Sequence, residues 1–261
     1  MQADYFKKKR LSSLSFFVVL AIITVMAIII TEYNVVKGFT SLPQAVQWAL
    51  GNFYPTVESL EKLPDIMDKL IETLLVSVAA TTIGALFALI FAVLGSNTTR
   101  VNAFFGSICR GVATVFRNID VAAWAMILLF SFGQSSLTGY FALFFGSFGF
   151  LTRAFVETID EVSSGSVEAL RATGAGYFSI ISQSVIPASI PQMISWILFM
   201  IETNVRSATL IGLLTGSGIG FTFNLYYKSL NYDIAALVVI SIMAAILCIE
   251  AISNYVRRVI L

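Results

Sequence analysis

Long apolar blocks separated by short polar stretches set the pattern of this chain. They occupy about residues 14–31, 70–94, 103–132, 137–156, 188–214 and 234–256. Each approaches or exceeds the roughly 20 residues a helix needs to cross a hydrocarbon core about 30 Å thick. Backbone at that depth has no water to bond to, so such blocks are helices. The pattern therefore predicts an all-α, polytopic membrane protein with six transmembrane helices. The block 103–132 is longer than one crossing needs, and Arg110, Arg117, Asn118 and Asp120 interrupt it. It predicts one tilted, kinked helix, with a broken or re-entrant arrangement as the alternative. Residues 32–69 mix Pro43, Pro55 and Pro64 with Tyr33, Trp48, Tyr54 and the acids Glu58, Glu61, Asp65 and Asp68. Val57, Leu60, Leu63 and Met67 fall there at helical spacing. This stretch predicts an extracytoplasmic segment with one or two amphipathic helices at the interface. The chain accordingly divides into 1–69, an N-terminal helix with its amphipathic segment, and 70–261, a helical core.

Composition supports a membrane protein and removes other classes. Of 261 residues, 57% are hydrophobic and 12% charged, against about a quarter charged in soluble domains. The net charge of +1 gives no case for nucleic acid. The chain has no histidine, the commonest general base and zinc ligand. No metal cluster or nucleophile constellation takes its place, which points to a transport subunit rather than an enzyme. Cys109 and Cys248 lie far apart in apolar blocks and read as small core residues. Lys7, Lys8, Lys9 and Arg10 precede the first block. A secretory signal has such a basic start, but this block is long and lacks a small-x-small cleavage site, which favours an uncleaved helix. Six spans place both termini in the cytoplasm. Lys7, Lys8, Lys9, Arg10, Arg100, Arg153, Arg171, Arg257 and Arg258 then lie inside, and Lys37, Lys62, Lys69 and Lys228 outside. Nine against four obeys the positive-inside rule.

Between the fourth and fifth blocks, about residues 157–187 form the longest weakly apolar interval of the second half. A polar, helix-prone piece between spans needs water or protein partners. Its later part reads EALRATGAGYFSIISQSVIP, residues 168–187, with Gly174 six residues and Pro187 nineteen residues after Glu168. That spacing resembles the cytoplasmic loop of ABC importer permeases, written EAA-x3-G-x9-I-x-L-P. Glu168, Ala169, Gly174 and Pro187 match, while Leu170, Ser184 and Ile186 replace the second Ala, the Ile and the Leu.

Two polar interruptions carry the remaining candidate chemistry. Glu202 and Arg206 are four apart in the fifth block, in the favourable order for a helical pair. Charges within a span default to a functional reading: either a self-neutralising pair that positions helices or a pair lining a pathway. Arg117 and Asp120, three apart, could pair in the same way. Gly212, Gly216, Gly218 and Gly220 suit close packing and a bend at the outer mouth. Over about residues 70–256 these stretches resemble the phosphonate-type ABC importer permeases. Glu202, Asn204, Val205, Arg206, Ala208 and Thr209 match a Glu-x-Asn-Val-Arg-x-Ala-Thr run, and Gly216, Gly218, Ile219 and Gly220 approximate a glycine-rich ending. Asp120 stands where that family has a kink-forming proline between Arg117 and Trp124.

The resemblance implies a type I importer permease of the bacterial cell membrane with a coupling helix between the fourth and fifth spans. Glu168 would serve docking and helix capping, Ala169 would belong to the docking surface, Gly174 would allow the turn, and Pro187 would start the fifth span. Glu202, Asn204, Arg206, Arg117 and Asp120 would line the path of phosphonate or a related phosphorus oxyanion. It implies ABC ATPase subunits, a second permease subunit and an extracytoplasmic substrate-binding protein as partners. No Gly-x4-Gly-Lys-Ser/Thr occurs in the chain, so ATP and magnesium would be bound by the ATPase. The alternatives are an ion- or proton-coupled transporter or channel using Glu202, and a permease for another small solute such as methionine.

Overall fold

A computed structural model describes residues 2–260; the side chains of residues 2–9, 11, 12 and 164 lie outside the described part, and with them the expected basic cluster of Lys7, Lys8 and Lys9. The described residues are helical almost throughout, with no strand among them. They form two compact units that part between Phe53 and Tyr54.

The first unit holds α1 (Gln2–Ile30) and α2 (Val35–Asn52). The window Ser13–Ile30 has a mean hydropathy of 2.9 and is long enough to cross a membrane. The side chain of Asn34 accepts from the Lys37 amide at 2.9 Å and so caps α2. Phe39, Leu42, Val46 and Leu50 follow the helical repeat along one face of α2, and no residue of the helix is buried. This is the amphipathic helix expected in 32–69.

In the second unit a 3₁₀ turn (Ser59–Lys62) leads into α3 (Leu63–Gly95), followed by α4 (Ala103–Asn118), α5 (Val121–Phe132), α6 (Ser136–Val162), α7 (Ser164–Ala172), α8 (Tyr177–Ile180), α9 (Ile186–Thr215), α10 (Gly218–Lys228) and α11 (Tyr232–Ile260). By length and composition five helices among the described residues could cross a membrane, and six with α4 and α5 taken as a single broken span. α3 packs along α6 through small residues. Ser77, Thr81, Gly84, Ala88 and Ala92 recur every three or four residues and are buried, with Ala80 beside them, while Leu75, Leu86, Phe87 and Ile90 point outward. In lipid no hydrophobic force drives helices together, so close approach of small residues does this work.

Two expectations are corrected. The block 103–132 is not one tilted helix: α4 and α5 meet at 90°. Ile119 and Asp120 are extended, and the Asp120 carboxylate accepts from the Ala122 amide at 2.8 Å, restarting the helix as an N-cap. Glycines of α6 make room for the break. A Cβ on Gly146 would stand 2.7 Å from Val121 Cγ2, and one on Gly149 would stand 2.5 Å from the Arg117 amide nitrogen. Second, Pro187 stands in the first turn of α9, as expected, but the candidate span begins before it. The helical run starts at Tyr177 and passes through a π-turn (Ile181–Val185) into α9. The Ile186 amide bonds the Ile181 carbonyl, five residues back. Proline lacks an N–H and crowds the carbonyl four residues behind it, and a widened turn accommodates both.

Candidate functional site

α7 lies at the end of the second unit opposite Tyr54. α3 runs the full length between them, from beside Tyr54 to the 96–100 turn, which contacts α7. Val167 is buried in the main core cluster and Leu170 packs against it. Glu168, Ala169 and Ala172 face outward. Glu168 sits mid-helix, where its carboxylate caps no amide, so the expected capping role is not realised. Gly174 has φ +80°. Its amide bonds the Arg171 carbonyl at 3.0 Å and the Ala175 amide bonds the Leu170 carbonyl at 3.2 Å, a helix ending for which only glycine is strain-free. Ala169 and Pro187 line one open groove between α7 and the start of α9, with Leu170, Gln183 and Ser184. Ser184 Oγ donates to Ser166 Oγ at 2.8 Å across its floor.

A polar hub that sequence reasoning passed over holds α7 to the bundle. Asp160, near the end of α6, accepts from Ser96 Oγ (2.5 Å), Asn97 Nδ2 (3.2 Å), the Thr98 amide (3.0 Å) and Thr98 Oγ1 (3.0 Å). The Thr98 carbonyl in turn accepts from Arg171 Nη2 of α7 at 2.8 Å. One short turn thus joins α3, α6 and α7. Its only signal in the sequence is the polar GSNTTR run at 95–100 facing an acidic stretch at 157–161, and nothing there says which acid meets it.

Glu202 and Arg206 pair as their spacing predicts, Nη2 to Oε1 at 2.5 Å. The structure adds partners from α11: Arg257 lies 3.7 Å from Glu202 and Glu250 lies 3.9 Å from Arg206. The side chain of Arg206 stays 48% exposed and that of Glu202 12%. Asn204 does not join this cluster. It is fully buried on another face of α9, where Nδ2 donates to Thr81 Oγ1 (2.7 Å) and Ser147 Oγ (2.6 Å) of α3 and α6. Its Oδ1 has no hydrogen-bond partner. Arg117 and Asp120 do not pair either. Asp120 is spent on the α5 cap, and Arg117 reaches into a cavity of about 620 Å³ between α4 and α6 that also holds Arg110, Arg153 and Glu157.

At the end near Tyr54, the glycines form a hairpin between α9 and α10. Gly216 (φ +67°) ends α9 and Gly218 (φ +61°) opens α10. A Cβ on Gly220 would overlap the Thr209 carbonyl. The Ile219 amide bonds Thr73 Oγ1 of α3 at 2.9 Å, and Ser136 Oγ of α6 donates to Glu72 Oε1 at 2.5 Å. The glycines thus make the bend between α9 and α10, and the Ile219 bond ties it to α3. No group of three or more potential metal ligands occurs among the described residues.

Comparison with known proteins places this geometry. Residues 80–260 match the family model described as binding-protein-dependent transport system inner membrane component. The phosphate-import permease protein PhnE of Mycolicibacterium smegmatis is 26% identical over 193 residues, 74% of this chain and 36% of its own length. The chain thus spans about a third of that relative. The phosphite transport system permease protein PtxC of Stutzerimonas stutzeri is 28% identical over 189 residues, 72% of this chain and 69% of its own. Among solved structures, that of an amino acid ABC transporter with histidines superposes with a TM-score of 0.66 at 16% identity, covering 77% of this chain and 97% of its own. At that identity the likeness speaks for the fold alone, which is that of a type I ABC importer permease.

Proposed function

The chain belongs to the binding-protein-dependent transport system inner membrane component family, and from that membership we infer the membrane-spanning subunit of an ATP-driven importer for phosphonate or a related phosphorus oxyanion. The observation that carries this reading is α7: a short helix between two spans, anchored by Val167 and tied to the bundle by Arg171, with Glu168 and Ala169 turned outward. A separate ATPase would receive this helix in a groove. Closure of the ATPase pair would then push α7, and through the Asp160 hub the push would reach the ends of α3 and α6 together. Rigid-body switching between two packings follows from such a push. ATP and magnesium belong to that partner, a substrate-binding protein delivers the solute on the other side, and a second permease subunit completes the pathway. With α7 in the cytoplasm, both termini are cytoplasmic.

Glu202, Arg206, Asn204, Arg117 and Asp120 enter this reading with distinct parts. The half-exposed Arg206, with Glu250 beside it, cannot stay against lipid without cost. A polar pathway or a second subunit covering that face of α9 and α11 removes the cost. Asn204 locks α3, α6 and α9 in register, Asp120 holds the break, and Arg117 faces the α4–α6 cavity. An ion-coupled carrier using Glu202 is not favoured, because two guanidiniums already flank that carboxylate. The phosphate and phosphite permeases among the relatives support a phosphorus oxyanion as the solute.

The test is reconstitution with its ATPase and binding protein in proteoliposomes. Glu168→Lys should cut ATP-dependent uptake of phosphite or methylphosphonate at least about tenfold while the chain still inserts and folds. Uptake at the wild-type rate in that variant would falsify the reading.

A further inference from the structure

The cavity between α4 and α6 is unusual for a membrane-spanning region. Three guanidiniums line it, those of Arg110, Arg117 and Arg153, against two carboxylates, Glu157 and Asp160, so 3 − 2 leaves one positive charge in excess. Both acids are committed. Glu157 Oε1 takes Arg153 Nε at 2.5 Å, and Asp160 takes four donors from the 96–98 turn. Arg110 gives Nη1 to the Gly95 carbonyl and to Asn97 Oδ1, each at 3.0 Å. Its other guanidinium nitrogens are not used in those bonds. Arg117 has no ion-pair or side-chain hydrogen-bond partner among the described residues. It lies beside Gly149, the midpoint of α6. Only its backbone sits there; its side chain is exposed in the cavity, and a guanidinium without a counter-charge on a span is expensive unless it faces water or a ligand.

We propose that this cavity is a binding station for a tetrahedral phosphorus oxyanion, gripped by Arg117 with help from Arg110. The planar guanidinium fork matches two oxygens of such an anion, and the space of about 620 Å³ admits a methylphosphonate, a phosphate or a lipid phosphodiester headgroup. The station also touches the hub. An anion that draws Arg110 away competes with Asn97, whose Nδ2 holds Asp160 and whose turn holds Arg171 of α7. Occupancy is thereby felt at the helix that meets the motor. This deepens the transport reading, on which it rests for its choice of probe.

The full chain, purified in dodecyl maltoside, which contains no phosphorus, is titrated with radiolabelled inorganic phosphate and methylphosphonate. Wild type should bind saturably. Arg117→Gln should weaken binding about tenfold or more, Arg117→Lys should weaken it less, and Lys228→Gln, at the opposite end, should leave it unchanged. A parallel arm adds phosphatidylglycerol. Displacement of phosphate by the lipid, or retention of the lipid alone with the same Arg117 dependence, assigns the station to a headgroup; free-anion binding indifferent to the lipid assigns it to a soluble anion. No saturable binding of any of the three overturns the proposal. So does binding by Arg117→Gln equal to wild type, with helicity and elution volume unchanged. A chain that binds in micelles while its complex imports another solute would remove the transport reading and leave the station standing.

Discussion

Gly149 has no room for a methyl group. A Cβ there would press on backbone atoms of Phe116 and Arg117, 2.5–2.9 Å away, and backbone cannot rotate aside as a side chain can. Gly149→Ala should therefore push the end of α4 off α6, costing about 1–3 kcal/mol and lowering the thermal unfolding midpoint in detergent. An unshifted midpoint would show that the break is not seated on α6. Asn204 offers a second test. Its Nδ2 joins α3, α6 and α9 at full burial, yet its Oδ1 lacks a donor. Interhelical hydrogen bonds in lipid average about 0.6 kcal/mol and reach about 1.7, and the orphaned oxygen subtracts from that sum. Asn204→Leu should thus change stability by no more than about 1–2 kcal/mol, yet slow transport if the register matters for switching. Wild-type uptake together with unchanged melting would remove any role for the network. The sequence legibly paired Glu202 with Arg206, since four residues on a helix share a face. It could not supply Glu250 and Arg257, because their partners are chosen by how α9 meets α11.

Elements divide in the same way. The apolar blocks reveal the spans because the bilayer imposes their length, and Gly174 reveals the end of α7 because a left-handed residue there is almost always glycine. The right angle between α4 and α5 was marked by polar residues but not measurable from them. Its value depends on Gly146 and Gly149 of another helix. The π-turn before Pro187 was hidden by the assumption that proline begins a helix, and α10 was missed because an 11-residue segment between two turns carries too little periodicity. For α7 the link to Thr98 makes a direct prediction. Arg171→Ala removes that bond while leaving Val167 and Glu168 in place. In the reconstituted complex, ATP hydrolysis should continue while uptake per ATP falls several-fold. Asp160→Asn should give the same signature by loosening the turn from α6. Equal loss of hydrolysis and uptake in both variants would mean that the turn serves assembly rather than transmission.

For the second unit taken whole, two opposite ends make a topological claim. Glu168 and Arg171 mark one end, and Tyr54, Asp233 and the α10–α11 turn mark the other, where Thr56 Oγ1 donates to Asp233 at 3.0 Å. The basic residues divide unevenly: Arg100, Arg153, Arg171, Arg257 and Arg258 lie towards the α7 end, and Lys62, Lys69 and Lys228 towards the Tyr54 end. By the positive-inside rule the proposed orientation has α7 in the cytoplasm, where an ATPase could reach it. Ala172 and Ser229 are exposed at the two ends, and the native thiols Cys109 and Cys248 can be removed as Cys109→Ala and Cys248→Ala. In that background, Ser229→Cys should react with a membrane-impermeant maleimide in intact cells, and Ala172→Cys only after the membrane is opened. Labelling of both from the same side would place α7 beside the substrate-delivery face, where no ATPase could push it. Labelling of Ala172→Cys alone in intact cells would invert the chain and separate the motor from the helix meant to receive it.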